Sequence, residues 1–341
     1  MADTVHFDTF HQPSTAGFLC PVCQAFFGAS TPKAALEQHA RFHVLGEAPV
    51  PHRETAAIAL IGREIPVLPD GGYVKLVDFM GSDQRIIDGA RVSLVDAAAK
   101  KTQSLAGLMA YLIRNAHTSP LEHVVFTFEV YCPIFIARQW FRHRTWSFSE
   151  WSGRYGVLPD AFHVPDDALL CGPSAMNKQG SGAQLDAGSR SMVRELLTRV
   201  QRAAFDAYHT LLGLGLAGEN ARILLPVGTY TKFYATVDLN NLLKFIALRE
   251  DGHAQAQIQV YGAALRQIAE AVVPVAMDVF KRQVLNGARF NEGQKGVLLA
   301  LAAVAGRQAI VEQMDAAGLT SKSERGELLA KLGMEAEGEA A

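Results

Sequence analysis

Apolar and polar positions alternate along Tyr73-Val74-Lys75-Leu76-Val77-Asp78-Phe79, the pattern of a strand with one buried face. Ser82-Asp83 supplies a helix start, and the spacing carries that helix through Ala90. A helical period returns over 102–116, and Val124 to Tyr131, rich in β-branched and aromatic residues, reads as a second strand. Pro133 suits the first turn of a helix reaching about Arg144. Downstream the pattern predicts a long loop over 156–191, a strand from Thr229 to Thr236, and helices over Ser191–Leu214, Asp238–Arg249 and His253–Phe280. Past Asn291 come an apolar helical stretch, a charged one and a fraying acidic tail. Strands and helices without regular alternation predict an α+β fold, a mixed sheet with long helices, and there is no internal repeat.

Glu47 to Gly72 carries four prolines and closes on Asp70-Gly71-Gly72, so the expected organisation is a module over 1–45, a linker over 46–72 with a short ordered piece from Ala56 to Ile61, a core over 73–290 and a helical extension over 291–341. Lys and Arg number 32 against 34 Asp and Glu, a net charge of −2 that excludes blanket binding of a nucleic-acid backbone. The apolar runs fall short of the roughly 20 residues that span a bilayer, and the start lacks a secretory signal pattern. The four cysteines make no disulfide framework, and the expected compartment is a reducing one, the cytoplasm.

Gly213-Leu214-Gly215-Leu216-Ala217-Gly218 satisfies a dinucleotide-loop pattern, but a helical period precedes it where that loop needs a strand, so these glycines are expected to end a helix. More informative is Arg138-Gln139-Trp140-Phe141-Arg142-His143-Arg144 running on to Glu150-Trp151-Ser152-Gly153-Arg154. It holds four arginines and a histidine opposed by a single carboxylate, among aromatic residues that draw the segment inward. Buried guanidinium groups need anions, and arginine suits bidentate recognition of a phosphate or a pyrimidine edge. Arg222 lies in an apolar run expected to be buried, Arg249 ends an apolar helix, and His253 follows it. Together these residues suggest a composite site for a multiply anionic ligand.

Arg142-His143-Arg144, seven residues, then Ser152-Gly153-Arg154 resembles the R-H-R-x7-S-x-R signature of the flavin-dependent thymidylate synthases. Phe79 to Asp83, Ala90 to Ser93, His117 to His123, Pro133 to Arg144, Ala221 to Tyr230 and Leu248 to Gln255 are similar to further blocks of that family, in the same order. The resemblance implies a homotetramer that methylates dUMP to dTMP, with methylenetetrahydrofolate as carbon donor, NADPH as reductant and FAD held between subunits. It implies that Gln139, Arg142, Glu150, Ser152, Gly153, Arg154, Arg222 and Arg249 hold dUMP. It also implies that Ser93, Ser119, Glu122, Arg142, His143, Arg144, Asp238, Asn240, Lys244, Arg249 and His253 line FAD. Arg249 would stabilise charge on the pyrimidine, Ser152 would stand beside the nucleotide, and His117 would lie near the flavin and folate entry. Ser149, Lys244 and Gln257 depart from the family's usual residues.

Cys20-Pro21-Val22-Cys23, then His39 and His43 after fifteen intervening residues, has the ligand count and spacing of a C2H2-like zinc finger, a small module beside the α+β core. Its weak charge leaves protein contact as open as nucleic-acid contact. Alternatives to dTMP synthesis are methylation or hydroxymethylation of another uracil nucleotide, and a zinc-finger nucleic-acid-binding protein with a repurposed core.

Overall fold

The computed structural model describes residues 54–92, 104–175 and 180–334, together with two short paired strands, β1 (Phe18–Leu19) and β2 (Phe26–Phe27). Cys20, Cys23, His39, His43 and Ser93 lie outside the described residues. The chain forms two units, residues 1–285 and 286–341.

The first unit is built on a five-stranded sheet in the order β3-β4-β5-β9-β6: Glu64–Pro66, Tyr73–Met80, Val125–Pro133, Tyr230–Asp238 and Ser147–Glu150. Every strand pair in it is antiparallel, which corrects the expected mixed sheet. Alternating burial along β4 and β9, with one face packed by helices, is the habit of an antiparallel sheet. The expected linker is also corrected in part. A helix, α1 (Thr55–Ile58), buries Ala57, and β3 pairs residue for residue with β4, because Ile65 and Leu68 have core to cover.

Val74, Leu76, Phe126, Phe128, Val130, Phe233 and Ala235 point inward from the sheet. Against them pack α2 (Asp83–Arg91), α3 (Leu105–Arg114), α4 (Ile134–Trp140), and later α7 (Leu239–Arg249), α8 (Ala256–Val272) and α9 (Pro274–Phe280). The expected helix over His253–Phe280 is thus two, broken at Val273, because Pro274 has no N–H to continue the ladder. Trp140 is fully buried, with the rings of Phe245 at 4.7 Å, Phe233 at 5.5 Å, and Trp146 and Tyr261 both at 5.9 Å.

That aromatic anchor explains why α4 stops at Trp140 rather than near Arg144. The His143 N–H bonds the Trp140 carbonyl and the Trp146 N–H the His143 carbonyl, a pair of turns that aims Ser147–Glu150 back onto β9. Gly81, with φ of +95°, turns the chain out of β4, and a side chain there would meet the His123 carbonyl at 2.9 Å.

The expected loop over 156–191 contains a hairpin of β7 (Cys171–Pro173) and β8 (Ser181–Gln184) before α5 (Ala187–Gly213). α5 ends at the Gly213–Gly218 run, and Gly215 takes φ of +86°, so that run terminates a helix, as expected from the helical period before it. A short helix, α6 (Gly218–Ala221), follows.

The second unit consists of α10 (Glu292–Ala316) and α11 (Lys322–Lys331), tied by Arg325 to Asp315 and by Arg307 to the Met334 carbonyl. Among the described residues, α10 is long and apolar enough by composition to cross a membrane. Gly306, at φ +79° and ψ 158°, breaks its helical ladder, so each half falls short of the roughly 20 residues a span needs.

Asp83 ties distant parts of the first unit together: its buried carboxylate accepts the N–H groups of Val275 at 2.9 Å and Ala276 at 2.8 Å in the first turn of α9. Asp83→Ala leaves those donors unsatisfied and is expected to lower unfolding free energy by about 1–3 kcal/mol. A urea midpoint equal to that of the parent protein would contradict this.

Candidate functional site

Residues 134–141 present one face, Ile134, Ala137, Arg138 and Phe141, to a half-open cavity of about 330 Å³. The same cavity is lined by Glu150, Trp151, Gly153 and Leu158, by Arg222 and Leu225, and by Tyr230 and Thr231 of β9. The volume falls within the range of small-ligand pockets.

Local bonds set these walls. The Thr231 hydroxyl donates to Glu150 Oε1 at 2.7 Å, fixing that carboxylate at the end of β6. The Trp151 N–H bonds the Lys232 carbonyl, and the Lys232 ammonium lies 4.5 Å from the indole centroid, a cation–π contact that steadies the ring. Tyr230 is held by Asp70, whose carboxylate also accepts from His163 Nδ1 at 2.7 Å and the Val164 N–H at 3.0 Å. Burial pulls the Asp70 pKa up, but the bonds from His163 and Tyr230 outweigh it and hold the group below the usual value. A Cβ on Gly153 would lie 3.2 Å from both Arg222 Cδ and Leu158 Cδ1, so a larger residue there would close the cavity.

Ser152 Oγ accepts the Arg154 N–H at 3.3 Å, and Arg154 pairs with Glu219 at 3.4 Å, both ends of that pair being exposed. Arg222 donates to the Glu219 carbonyl at 3.3 Å. Contrary to expectation, Arg222 and its neighbours Ile223 and Leu224 are exposed in the single chain, because the short 3₁₀ turn over 222–224 faces outward.

A second group forms beyond the end of α4. Arg249 Nε donates to His143 Nε2 at 3.1 Å and Arg249 Nη2 to the Gln139 carbonyl at 2.9 Å, while Gln139 Nε2 donates to Gln255 Oε1 at 2.5 Å. A guanidinium cannot accept a hydrogen bond, so His143 Nε2 is unprotonated and the ring carries its proton on Nδ1. Burial first, and then the Arg249 charge, lowers the His143 pKa to about 4. Burial also lowers the Arg249 pKa. Arg142 and Arg144 are exposed, and among the described residues neither forms an ion pair.

The remaining expected residues flank this group or stand apart. Asn240, buried, donates to Glu122 Oε1 at 3.1 Å, joining α7 to the 3₁₀ turn that begins at Ser119. Asp238 caps α7 through both oxygens, bonding the Asn241 N–H at 2.9 Å and its amide at 2.6 Å. Lys244 is exposed, and His253 sits in an open loop bonded to Asp251 at 2.6 Å. His117 packs edge-on against Tyr111 at 5.4 Å. No hydrogen bond joins Arg249, Ser152 and His117 among the described residues.

One chain therefore gathers Glu150, Gly153 and Arg222 on a cavity, and Gln139, His143 and Arg249 in another cluster. Gln139, Arg142 and Arg249 do not line the cavity. Trp151, Tyr230 and Thr231 carried no expectation as site residues, and Arg138 was expected only as one of the segment's four arginines, with no ligand atom assigned to it. Arg138 carried a signal, since it lies three and four positions from the apolar residues of the same helical face.

The donor set fits a flavin dinucleotide in kind. Two exposed arginines without acid partners among the described residues suit a pyrophosphate, and the Asn240 amide and the Ser119 hydroxyl are neutral hydrogen-bonding groups. Among the described residues there is no group of three or more His, Cys, Asp or Glu that could hold a metal.

Fold and site together define an α+β protein with a cationic cavity for a small anionic ligand. Residues 75–275 match the family model of the thymidylate synthase complementing proteins. The chain is similar to the flavin-dependent thymidylate synthases of Treponema denticola, 43% identical over 67% of this chain and 86% of that one, and Thermus thermophilus, 45% identical over 66% and 80%. It also resembles, with a TM-score of 0.57 and 35% identity, the crystal structure of a UMP/dUMP methylase, PolB from Streptomyces cacaoi, bound with 5-Br UMP, over 62% of this chain and 94% of that one. The chain belongs to the thymidylate synthase complementing protein family.

The His143 assignment has a pH consequence. With its folded pKa near 4 and an unfolded value near 6.5, this group's contribution to stability is complete above about pH 6.5. It is lost as pH falls through 4. The ¹⁵N signals of His143 are expected to report the neutral Nδ1–H form at pH 5.5, and titration near 6.5 would contradict the Arg249 contact.

Proposed function

We propose that this chain is a flavin-dependent thymidylate synthase, converting dUMP to dTMP with methylenetetrahydrofolate as carbon donor and NADPH as reductant. The observation that carries this reading is the convergence of Glu150 and Gly153 with Arg222, some seventy residues away, on one cavity. FAD, when bound, supplies the electron transfer. The protein's part is to bind and orient. Arg222 and the Ser152-Gly153-Arg154 turn meet the nucleotide. Glu150, with one oxygen tied by Thr231, keeps the other as an acceptor for a donor on the ligand. Arg249, fixed between His143 and the Gln139 carbonyl, retains its full charge to stabilise negative charge on the uracil ring.

The reading includes a homotetramer in which Gln139, Arg142 and Arg249 complete a neighbouring protomer's cavity. The exposed apolar side chains of Ile223 and Leu248, beside Arg222 and Arg249, support shared faces. Arg142, His143, Arg144, Ser93, Ser119, Glu122, Asp238, Asn240, Lys244 and His253 would line FAD. His117 would stand at the entry for flavin and folate. The Cys20, Cys23, His39 and His43 set would hold zinc in a separate module, and the protein would work in the cytoplasm. A second reading, action on UMP as well as dUMP, is favoured by the likeness to the UMP/dUMP methylase.

The purified protein is expected to be yellow and to form dTMP from dUMP, methylenetetrahydrofolate and NADPH, with mass analysis of parallel UMP reactions separating the two readings. Protein that takes up no FAD and yields no C5-methylated product would overturn both. Arg249→Ala is expected to cost on the order of 100-fold or more in kcat, and near-normal turnover would remove its role. Cys23→Ser is expected to release zinc, read by elemental analysis, while the flavin spectrum persists; zinc-free parent protein would refute the module.

A further inference from the structure

The charges around the cavity do not balance. Arg154 is paired with Glu219, and Arg222 leans on the same residue's carbonyl, while Glu150 is the cavity's one lining carboxylate and has an oxygen occupied by Thr231. Arg138 is different. It lines the cavity from the same helical face as Ile134, Ala137 and Phe141, and among the described residues it forms no ion pair or hydrogen bond, with Glu150 or any other group. Gln139, the next residue, turns away to bond Gln255, and Arg142, four positions on, lies beyond the helix end. The backbone of α4 thus presents one cation, on an otherwise apolar wall, to a cavity that already holds Arg222.

We propose that Arg138 is a substrate-binding residue, meeting the phosphate monoester of the uracil nucleotide in the cavity it shares with Arg222. Two guanidinium groups facing one carboxylate leave a positive excess, which a phosphate monoester carrying about 1.5 to 2 negative charges at pH 7 neutralises. The proposal rests on the reading of this cavity as the nucleotide site. It adds a residue outside the R-H-R-x7-S-x-R signature, and assigns it to the phosphate rather than to the base.

The test compares dUMP with deoxyuridine, which lacks the phosphate, by equilibrium dialysis against the full-length FAD-loaded protein. Arg138→Gln is expected to weaken dUMP about tenfold or more and to leave deoxyuridine unchanged, and Arg138→Lys to restore part of the loss. Unchanged dUMP affinity in Arg138→Gln, or equal losses for both ligands, would overturn the role. Gly153→Val, which closes the cavity, is the control for the site itself. Unchanged dUMP binding there would overturn the nucleotide reading, whereas loss there without loss in Arg138→Gln would overturn only the assignment of Arg138.

Discussion

A guanidinium fixed in place by neutral partners keeps its charge for a ligand, and the rest of the site depends on that arrangement. Arg249 bonds an imidazole nitrogen and a peptide carbonyl, neither of which cancels its charge. Arg266, on the following helix, shows the alternative: Glu250 binds its Nε at 3.0 Å and Glu270 its Nη1 at 2.9 Å, forming a closed structural ion pair. The pKa directions agree, raised for Arg266, where the bonds from the two carboxylates overcome burial, and lowered for Arg249, where burial meets no carboxylate. One arginine holds helices together and the other is poised for an anion.

That poise needs a rigid support, which the aromatic core supplies. Trp140 anchors the end of α4 in the core, and Phe245 of α7 touches both Trp140 and His143, with the His143 ring at 4.6 Å. The segments presenting His143 and Arg249 are therefore packed against a common wall. On the other side of α4, β9 offers Tyr230 and Thr231 in succession, one held by Asp70 and the other holding Glu150. Both halves of the site thus trace back to the sheet and the aromatic residues packed on it.

Much of this was legible in the chain. The strands at 73–79, 124–131 and 229–236 and the long helices announced themselves through periodicity, and the arginines through the absence of opposing carboxylates. What could not be read depended on distant partners. Ser147-Phe148-Ser149-Glu150 has no strong strand propensity and is a strand because β9 offers it an edge. α4 ends early because Trp140 is drawn into the core, so the helix predicted to reach about Arg144 stops short, and Arg138 lines the cavity without Arg142. Leu68 and Ile65 earn their core contacts only once β4 is in place, which hid an edge strand inside a proline-rich stretch.

The uncompensated arginines are expected to converge on one uracil nucleotide. A structure of the assembled, FAD-loaded protein with dUMP bound tests this. The phosphate is expected between Arg138 and Arg222, beside Gly153, with Arg249 of a neighbouring protomer at the uracil oxygens. A nucleotide seated elsewhere, with Arg222 and Arg249 both free of it, would show that the arginines serve another purpose.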